Sequence, residues 1–371
     1  METPCYLISE ELIERNCRLL GDVQKRTGAD ILLALKAFAM WSAFPVIGKY
    51  LKGVCASGPI EARLGFEEFK KEVHTFAPAF SDEDFHETVK YSDYIIFNSA
   101  WQFNKYSKLA KEIKNHIQIG IRVNPGYSEV NVDLYNPCMP GSRFGVHPED
   151  MEKIDITLLD GIHFHALCEQ NSDVLHRVLQ HFENRFGKYI GKVKWVNWGG
   201  GHHITRKDYD INLLVNTINN FRERYNGVRV YLEPGEAVVL NAGVLVSTVL
   251  DIVYNGMEIA ILDTSAETHM PDVLAMPYRP NIMGAGQPDE YPYKYRLGGI
   301  SCLAGDVIGD YSFPEPLKRG DRLVFLDMAL YSFVKNTTFN GIRLPSLILF
   351  NKNQISHLKR FGYEDYKNRL S

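Results

Sequence analysis

Between residues 31 and 233 the chain alternates short apolar runs with amphipathic stretches, and this alternation restricts the fold more than any other feature. The runs are Ile31–Phe38, Gly53–Ser57, Glu72–Ala77, Tyr94–Asn98, Gln118–Asn124, Gly161–Ala166, Val193–Trp198 and Val228–Glu233. Their length and their β-branched and aromatic content predict strands. Between them, Phe103, Tyr106, Leu109, Ala110 and Ile113 recur at helical spacing, and 172–186 is a second such stretch. Strands joined by helix-length crossovers run parallel. Eight of them are the number that closes a (β/α)8 barrel, and the span of about 200 residues lies near the lower end of barrel sizes.

From about Ala237 the texture changes. Apolar runs continue at 242–253, 258–263, 322–326 and 346–350, but turn residues separate them and helical periodicity is scarce. This predicts a mostly antiparallel β domain. Cys5–Ile8 is also strand-like and could join it. The expected division is a barrel over 11–236 and a β domain built from 1–10 and 237–371. The longest apolar stretch, Val238 to Val253, is interrupted by Asn241 and Asp251, so it reads as buried strand and not as a membrane span.

Composition narrows the function classes. A net charge of −4 offers no basic footprint for nucleic acid. The six cysteines, Cys5, Cys17, Cys55, Cys138, Cys168 and Cys302, form no C-x-x-C pair, which points to reduced thiols in the cytoplasm. Met1-Glu2-Thr3-Pro4 has neither the basic nor the apolar region of a signal peptide. No membrane partner is expected.

In a barrel of this kind, function gathers at the C-terminal ends of the strands. Lys36 falls near the end of the first run, within Leu33-Ala34-Leu35-Lys36-Ala37-Phe38. A lysine inside an apolar strand is costly unless its charge is paired or given up, which suggests a Schiff-base lysine; a lysine snorkelling from the strand exit is the plainer alternative. His163 and His165 lie two apart and share a face. They suit either a metal or the face of a flat cofactor, although metal hydrolases with an H-x-H pair carry it on the first strand. Gly199-Gly200-Gly201 ends the seventh run and Glu233-Pro234-Gly235 the eighth. Consecutive glycines let backbone N–H groups approach an anion, and barrels often bind phosphate between these two loops. A carboxylate at Glu233 could keep a pyridine nitrogen protonated.

This set of residues resembles the fold-type III pyridoxal-phosphate decarboxylases, an alanine-racemase-like group that includes the ornithine, diaminopimelate and carboxynorspermidine enzymes. The resemblance covers essentially the whole chain. It implies that Lys36 holds pyridoxal 5'-phosphate, that His165 stacks on its ring, that Gly199, Gly200 and Gly201 bind its phosphate, and that Glu233 pairs with the ring nitrogen. It implies further that Cys302, in Gly299-Ile300-Ser301-Cys302, donates a proton across a homodimer, and that Tyr331 lies near the phosphate, followed by Thr338-Phe339-Asn340-Gly341. Arg143, in Ser142-Arg143-Phe144-Gly145, and Glu61 would stand behind the cofactor.

Departures from the family pattern are informative. Ornithine and diaminopimelate enzymes follow Glu-Pro-Gly with arginine, where this chain has Glu236. The family's cysteine is followed by Asp-Gly, where this chain has Leu303-Ala304-Gly305-Asp306. The segment 263–272 differs as well. These departures resemble the carboxynorspermidine branch, which implies a carboxylated polyamine, carboxynorspermidine or carboxyspermidine, as substrate. Its distal cations need carboxylates, for which Glu236, Glu267, Asp272 and Asp306 are the candidates. A diaminopimelate or other basic amino-acid decarboxylase, a catalytically silent regulatory homologue and a metal hydrolase built on His163 and His165 are the rival readings.

Overall fold

The computed structural model describes residues 2–352 and 354–371. The chain divides into two compact units, one comprising residues 14–238 and the other residues 1–13 with 239–371. In chain order the strands are β1 (Cys5–Ser9), β2 (Asp30–Ala34), β3 (Gly53–Ala56), β4 (Glu72–Phe76), β5 (Tyr94–Phe97), β6 (Gln118–Arg122), β7 (Gly161–His163), β8 (Trp195–Asn197), β9 (Arg229–Leu232), β10 (Gly243–Tyr254), β11 (Glu258–Leu262), β12 (Tyr293–Gly298), β13 (Val307–Phe313), β14 (Arg322–Phe325), β15 (Ser346–Asn351) and β16 (Gln354–Lys359).

In the first unit β2 to β9 close a barrel in sequence order, every neighbouring pair parallel. Helices between the strands start at side-chain caps. Ser81 accepts from the Asp84 N–H, Ser99 from Gln102 and Asp210 from Leu213, at 3.0, 3.2 and 2.9 Å. Alternate residues of each strand face the interior, where Leu32, Tyr94, Ile96, Trp195 and Tyr231 form one buried cluster against Cys55 and Phe76. His74 stacks on Tyr94 at 3.7 Å and meets Tyr231 edge-on. Below this layer Arg229 binds Asp30 at 2.6 Å and Glu72 at 3.3 Å, joining the N-terminal ends of β9, β2 and β4.

Trp195 decides what its neighbours can be. A Cβ on Gly120 of β6 would lie 2.5 Å from the indole, and one on Gly161 of β7 only 2.0 Å from it. The ring occupies the space that two side chains would otherwise fill.

The second unit is a sheet in the order β13-β12-β11-β10-β1-β15-β16, with β14 also pairing β10. It is mostly antiparallel; β1 with β15 and β11 with β12 are the parallel pairs. The amino-terminal strand therefore sits between β10 and β15. The stretch expected as one buried strand over 238–253 is strand only from Gly243. It also breaks register between Val249 and Asp251, leaving Leu250 and Val253 exposed.

Gly161→Ala is expected to destabilise the protein by at least about 1–3 kcal/mol, because the indole has nowhere to move. In a Trp195→Leu background the same change should cost much less. Equal costs in the two backgrounds, measured by denaturant unfolding, would show that the indole is not the cause.

Candidate active site

The period-two rule carries inward positions past the strand ends to the C-terminal mouth of the barrel. β2 stops at Ala34, whose carbonyl accepts from the Ala37 and Phe38 N–H groups at 3.0 and 3.3 Å. That turn directs Lys36 outward while Leu35, Ala37 and Phe38 stay buried. Lys36 is thus exposed at the mouth and not embedded in the strand, which corrects the expectation from sequence. Its ammonium acts electrostatically on Cys55, Glu61, His163, His165 and Cys168.

Glu233 follows β9 and is held at both oxygens. Asn197 Nδ2 donates to Oε1 at 2.7 Å, and His163 Nε2 lies 3.3 Å from Oε2. Burial opposes the charge on Glu233, but the His163 ring, more distant His74 and the Asn197 amide outweigh it and hold the carboxyl below its ordinary range. His163 itself is pulled down by burial, against the attraction of Glu233. The pair therefore rests as carboxylate and neutral imidazole at neutral pH.

His165 is pinned differently. Its Nδ1 accepts the Gly200 N–H at 2.8 Å. Burial, then Lys36 and Arg122, push its pKa well down, so the ring is neutral with its proton on Nε2. The two histidines considered as a metal pair are thus directed to separate partners, one to a carboxylate and one to a backbone amide.

The glycine triplet has a tighter reason than anion approach alone. Gly199 and Gly201 have φ of +69° and +81°, and a Cβ on Gly201 would lie 2.1 Å from the Leu167 carbonyl. The Gly199 N–H donates to Asn197 Oδ1 at 2.9 Å and the Gly200 N–H to His165. The expectation that the glycine amides stand open to an anion is narrowed: the N–H groups of Gly199 and Gly200 are engaged within the protein.

Arg122, which the sequence reading overlooked, belongs to the same layer. It is buried at the end of β6, its guanidinium 4.6 and 4.3 Å from the ring centres of Phe76 and Phe144, and it donates to the His165 carbonyl at 3.3 Å. Burial lowers its pKa to about 10, which leaves it charged at neutral pH. Cys55 and Asn197 were overlooked too. The alternation that selects His163 and His165 would have found Arg122 from Gly120-Ile121-Arg122 and Asn197 from Trp195-Val196-Asn197. Glu61 accepts the Ser57 N–H at 2.7 Å, and burial raises its pKa. Arg143 is exposed, its guanidinium over Phe144 at 4.4 Å and its carbonyl bonded to Asn98.

These groups form a donor set suited to a flat aromatic aldehyde carrying phosphate: an accessible primary amine, a neutral ring to stack, a carboxylate for a ring N–H and a glycine turn for the anion. Within the first unit the structure brings Lys36, His165, Gly199–Gly201 and Glu233 to one end of the barrel.

The remaining candidates lie in the second unit, except Glu236, which starts the short helix Glu236–Val239 after β9 and acts electrostatically on Cys168. Cys302 is exposed in the turn between β12 and β13, its N–H bonded to Asn340 Oδ1 at 2.7 Å. Tyr331 has a positive φ of 39°, a strained conformation for a non-glycine residue. Asp306 is buried. One oxygen accepts from the Ala266 N–H at 2.7 Å and the other from Ser301 at 3.1 Å. It ties the cysteine turn to the start of the helix Ala266–His269, so Asp306 has a structural task whatever it does for a substrate cation. Asp272 is ion-paired with Lys335, which already meets its charge. Glu267 is half-buried in the same short helix, its N–H 3.4 Å from Asp306.

Residues 5–329 match the family model described as "Pyridoxal-dependent decarboxylase, C-terminal sheet domain". The chain is 46% identical to the carboxynorspermidine/carboxyspermidine decarboxylase of Campylobacter jejuni, the alignment covering 100% of this chain and 98% of the relative. It is 41% identical to the carboxyaminopropylagmatine decarboxylase of Synechocystis, covering 100% and 96%. Among solved structures, carboxynorspermidine decarboxylase from Campylobacter jejuni complexed with norspermidine superimposes with a TM-score of 0.92 at 44% identity, covering 100% of each chain.

Asp306→Ala is expected to lower stability by about 1–3 kcal/mol for each backbone N–H left without its acceptor. Denaturant unfolding measures the loss. Unchanged stability accompanied by a raised KM for a polyamine would instead return Asp306 to the substrate site.

Proposed function

The chain belongs to the pyridoxal-dependent decarboxylases, and from that premise we propose that it decarboxylates carboxynorspermidine or carboxyspermidine in polyamine biosynthesis, yielding norspermidine or spermidine. The observation that carries this reading is the gathering of an accessible lysine amine, a neutral histidine ring and an ionised, doubly held carboxylate at the C-terminal mouth of one barrel. Full-length similarity to relatives acting on carboxylated polyamines supplies the substrate class.

Pyridoxal phosphate, when bound, supplies an aldehyde that joins to amines and a ring that accepts the electron pair left behind as carbon dioxide departs. Lys36 is the amine that holds it. Glu233 keeps a proton on the ring nitrogen, and its lowered pKa makes it the stronger claimant to negative charge. His165 offers a neutral face and so adds no second positive charge beside Lys36. By the family resemblance, the glycine turn Gly199–Gly201 and Tyr331 would be the residues assigned to the phosphate, with Arg143 and Glu61 behind the cofactor. Glu236 and Glu267 are the acids assigned to the distal amines. The enzyme works as a homodimer in which the partner subunit's Cys302 delivers a proton to the substrate carbon that has lost carbon dioxide. Its six free cysteines suit the reducing cytoplasm.

A second reading has its own support. The Synechocystis relative is named for carboxyaminopropylagmatine, whose distal end is a guanidinium. The two polyamine substrates differ from each other by one methylene, worth only about 1–3 kcal/mol of discrimination. The deciding assay offers all three compounds, with ornithine and meso-diaminopimelate as controls. Preference for a carboxylated polyamine supports the first reading. Preference for the guanidino compound supports the second, and turnover of diaminopimelate alone would sink both.

Lys36→Ala is expected to abolish turnover and the absorbance of bound cofactor. A single borohydride-reducible adduct persisting in that variant would show the lysine assignment to be wrong.

Cys302→Ala should turn over slowly and lose activity during turnover, because the thiol that would deliver a proton to the substrate carbon is gone. Mixing it with Lys36→Ala should restore activity to about a quarter of wild type, since half the dimers are mixed and each has one intact site. No recovery after demonstrated subunit exchange would place Cys302 outside a shared site.

A further inference from the structure

We propose that Asn197 is a positioning residue that joins the two halves of the cofactor site, holding the Glu233 carboxylate with one end of its amide and setting the glycine turn with the other. The inference rests on the reading of Glu233 as partner of the ring nitrogen.

Asn197 is fully buried on β8, in register with His163 on β7 and Tyr231 on β9. Its Nδ2 donates to Glu233 at 2.7 Å and its Oδ1 accepts from the Gly199 N–H at 2.9 Å. The amide has one orientation only. Flipped, it would turn an oxygen toward a carboxylate and an NH2 toward an N–H, leaving two buried mismatches. The bond to Gly199 spans two residues, the geometry by which asparagine bends its own backbone. It therefore turns the chain from β8 into the positive-φ glycines. A single amide thus fixes both the carboxylate that faces the ring and the turn that faces the phosphate, from strands 36 residues apart in sequence.

The titratable groups that interact electrostatically with Glu233 are Cys55 from β3, His74 from β4, Arg122 from β6, His163 from β7 and His202 after β8. Of these only Arg122 carries a fixed charge. An acid in place of Asn197 would put a second carboxylate against Glu233 with no added cation to relieve it.

Asn197→Asp separates the two tasks. An aspartate keeps the acceptor for Gly199 but loses the donor to Glu233, so two carboxylates must share a proton. Three variants, Asn197→Asp, Glu233→Gln and the double variant, are compared with wild type by titrating the cofactor-free full-length protein with pyridoxal phosphate across pH 5 to 9, following bound-cofactor absorbance, and by steady-state kinetics. The expected result for Asn197→Asp is cofactor affinity weakened by about tenfold or more, with a new protonation step that wild type lacks. Binding should be poorer below that step and better above it, because the protonated Glu233 can no longer serve the ring nitrogen. In the double variant a glutamine amide faces the new aspartate, donor to acceptor, so the extra step should vanish and folding should be recovered if Asn197→Asp alone folds poorly. An Asn197→Asp protein with wild-type affinity and pH profile overturns the proposal, as does a step or a folding defect that persists in the double variant. If Glu233→Gln alone leaves absorbance and kcat unchanged, the assignment of Glu233 fails and this inference with it. If Glu233→Gln is impaired while Asn197→Asp is not, only the inference about Asn197 falls.

Discussion

The indole of Trp195 closes the barrel interior, and the functional layer rests on it. With His74, Tyr94 and Tyr231 it fills the space between the strands, at the cost of confining β6 and β7 to glycine opposite the ring. The layer above consequently sits on a dry aromatic platform. Glu233 cannot be solvated from below, so its charge must be met by N–H donors from the protein. Taking a carboxylate out of water costs several kcal/mol, and a hydrogen bond to a charged group returns roughly 1.5–3 kcal/mol. Two such bonds, from Asn197 and His163, are therefore the least that keeps the carboxylate ionised.

The same economy of charge governs the rest of the mouth. Arg122 is buried between the faces of Phe76 and Phe144, an arrangement worth up to about 2 kcal/mol when the cation is desolvated. Its positive charge is balanced at longer range by Glu233, which counts among the causes that keep its pKa from falling further. Both histidines of the layer are driven neutral by burial, and Lys36 and Arg122 reinforce that. A protonated imidazole beside two cations would be unstable. Neutral rings can instead serve as a donor to a carboxylate and as a flat face, which are the two uses a planar cofactor has for them.

Much of this was legible in the residues. The alternation of runs and amphipathic stretches is enough to require parallel strands in a barrel, and the strand-like Cys5–Ile8 already belonged with the later sheet, where β1 pairs with β10 and β15. The barrel's C-terminal ends could be located by period two, which brings His165, the glycines and Glu233 to one place without any knowledge of relatives. What failed had a common cause. Lys36 reads as strand because Leu35, Ala37 and Phe38 are apolar, yet they are buried in a turn that the bonds of Ala37 and Phe38 to the Ala34 carbonyl create. Arg122 and Asn197 were passed over because each looks unremarkable in its run, although the same alternation selects them.

The acids show the limit most clearly. Glu236, Glu267, Asp272 and Asp306 are indistinguishable as residue types, and a cationic substrate makes each attractive. A carboxylate, however, binds whatever donor reaches it first, and in folded chains the nearest donors are usually backbone N–H groups. Asp306 lies where a turn and a helix start both present such groups, and a Cβ on Gly299 would fall 2.2 Å from its carboxylate, so glycine there leaves it the room to approach. Asp272 meets Lys335 from a segment more than 60 residues away. Neither encounter leaves a trace in local sequence, because it depends on which loops the β sheet brings together. A carboxylate's availability is thus a property of the tertiary fold, whereas a strand residue's direction is a property of its position in the run. That difference explains why the barrel layer could be read from the chain and the acids could not.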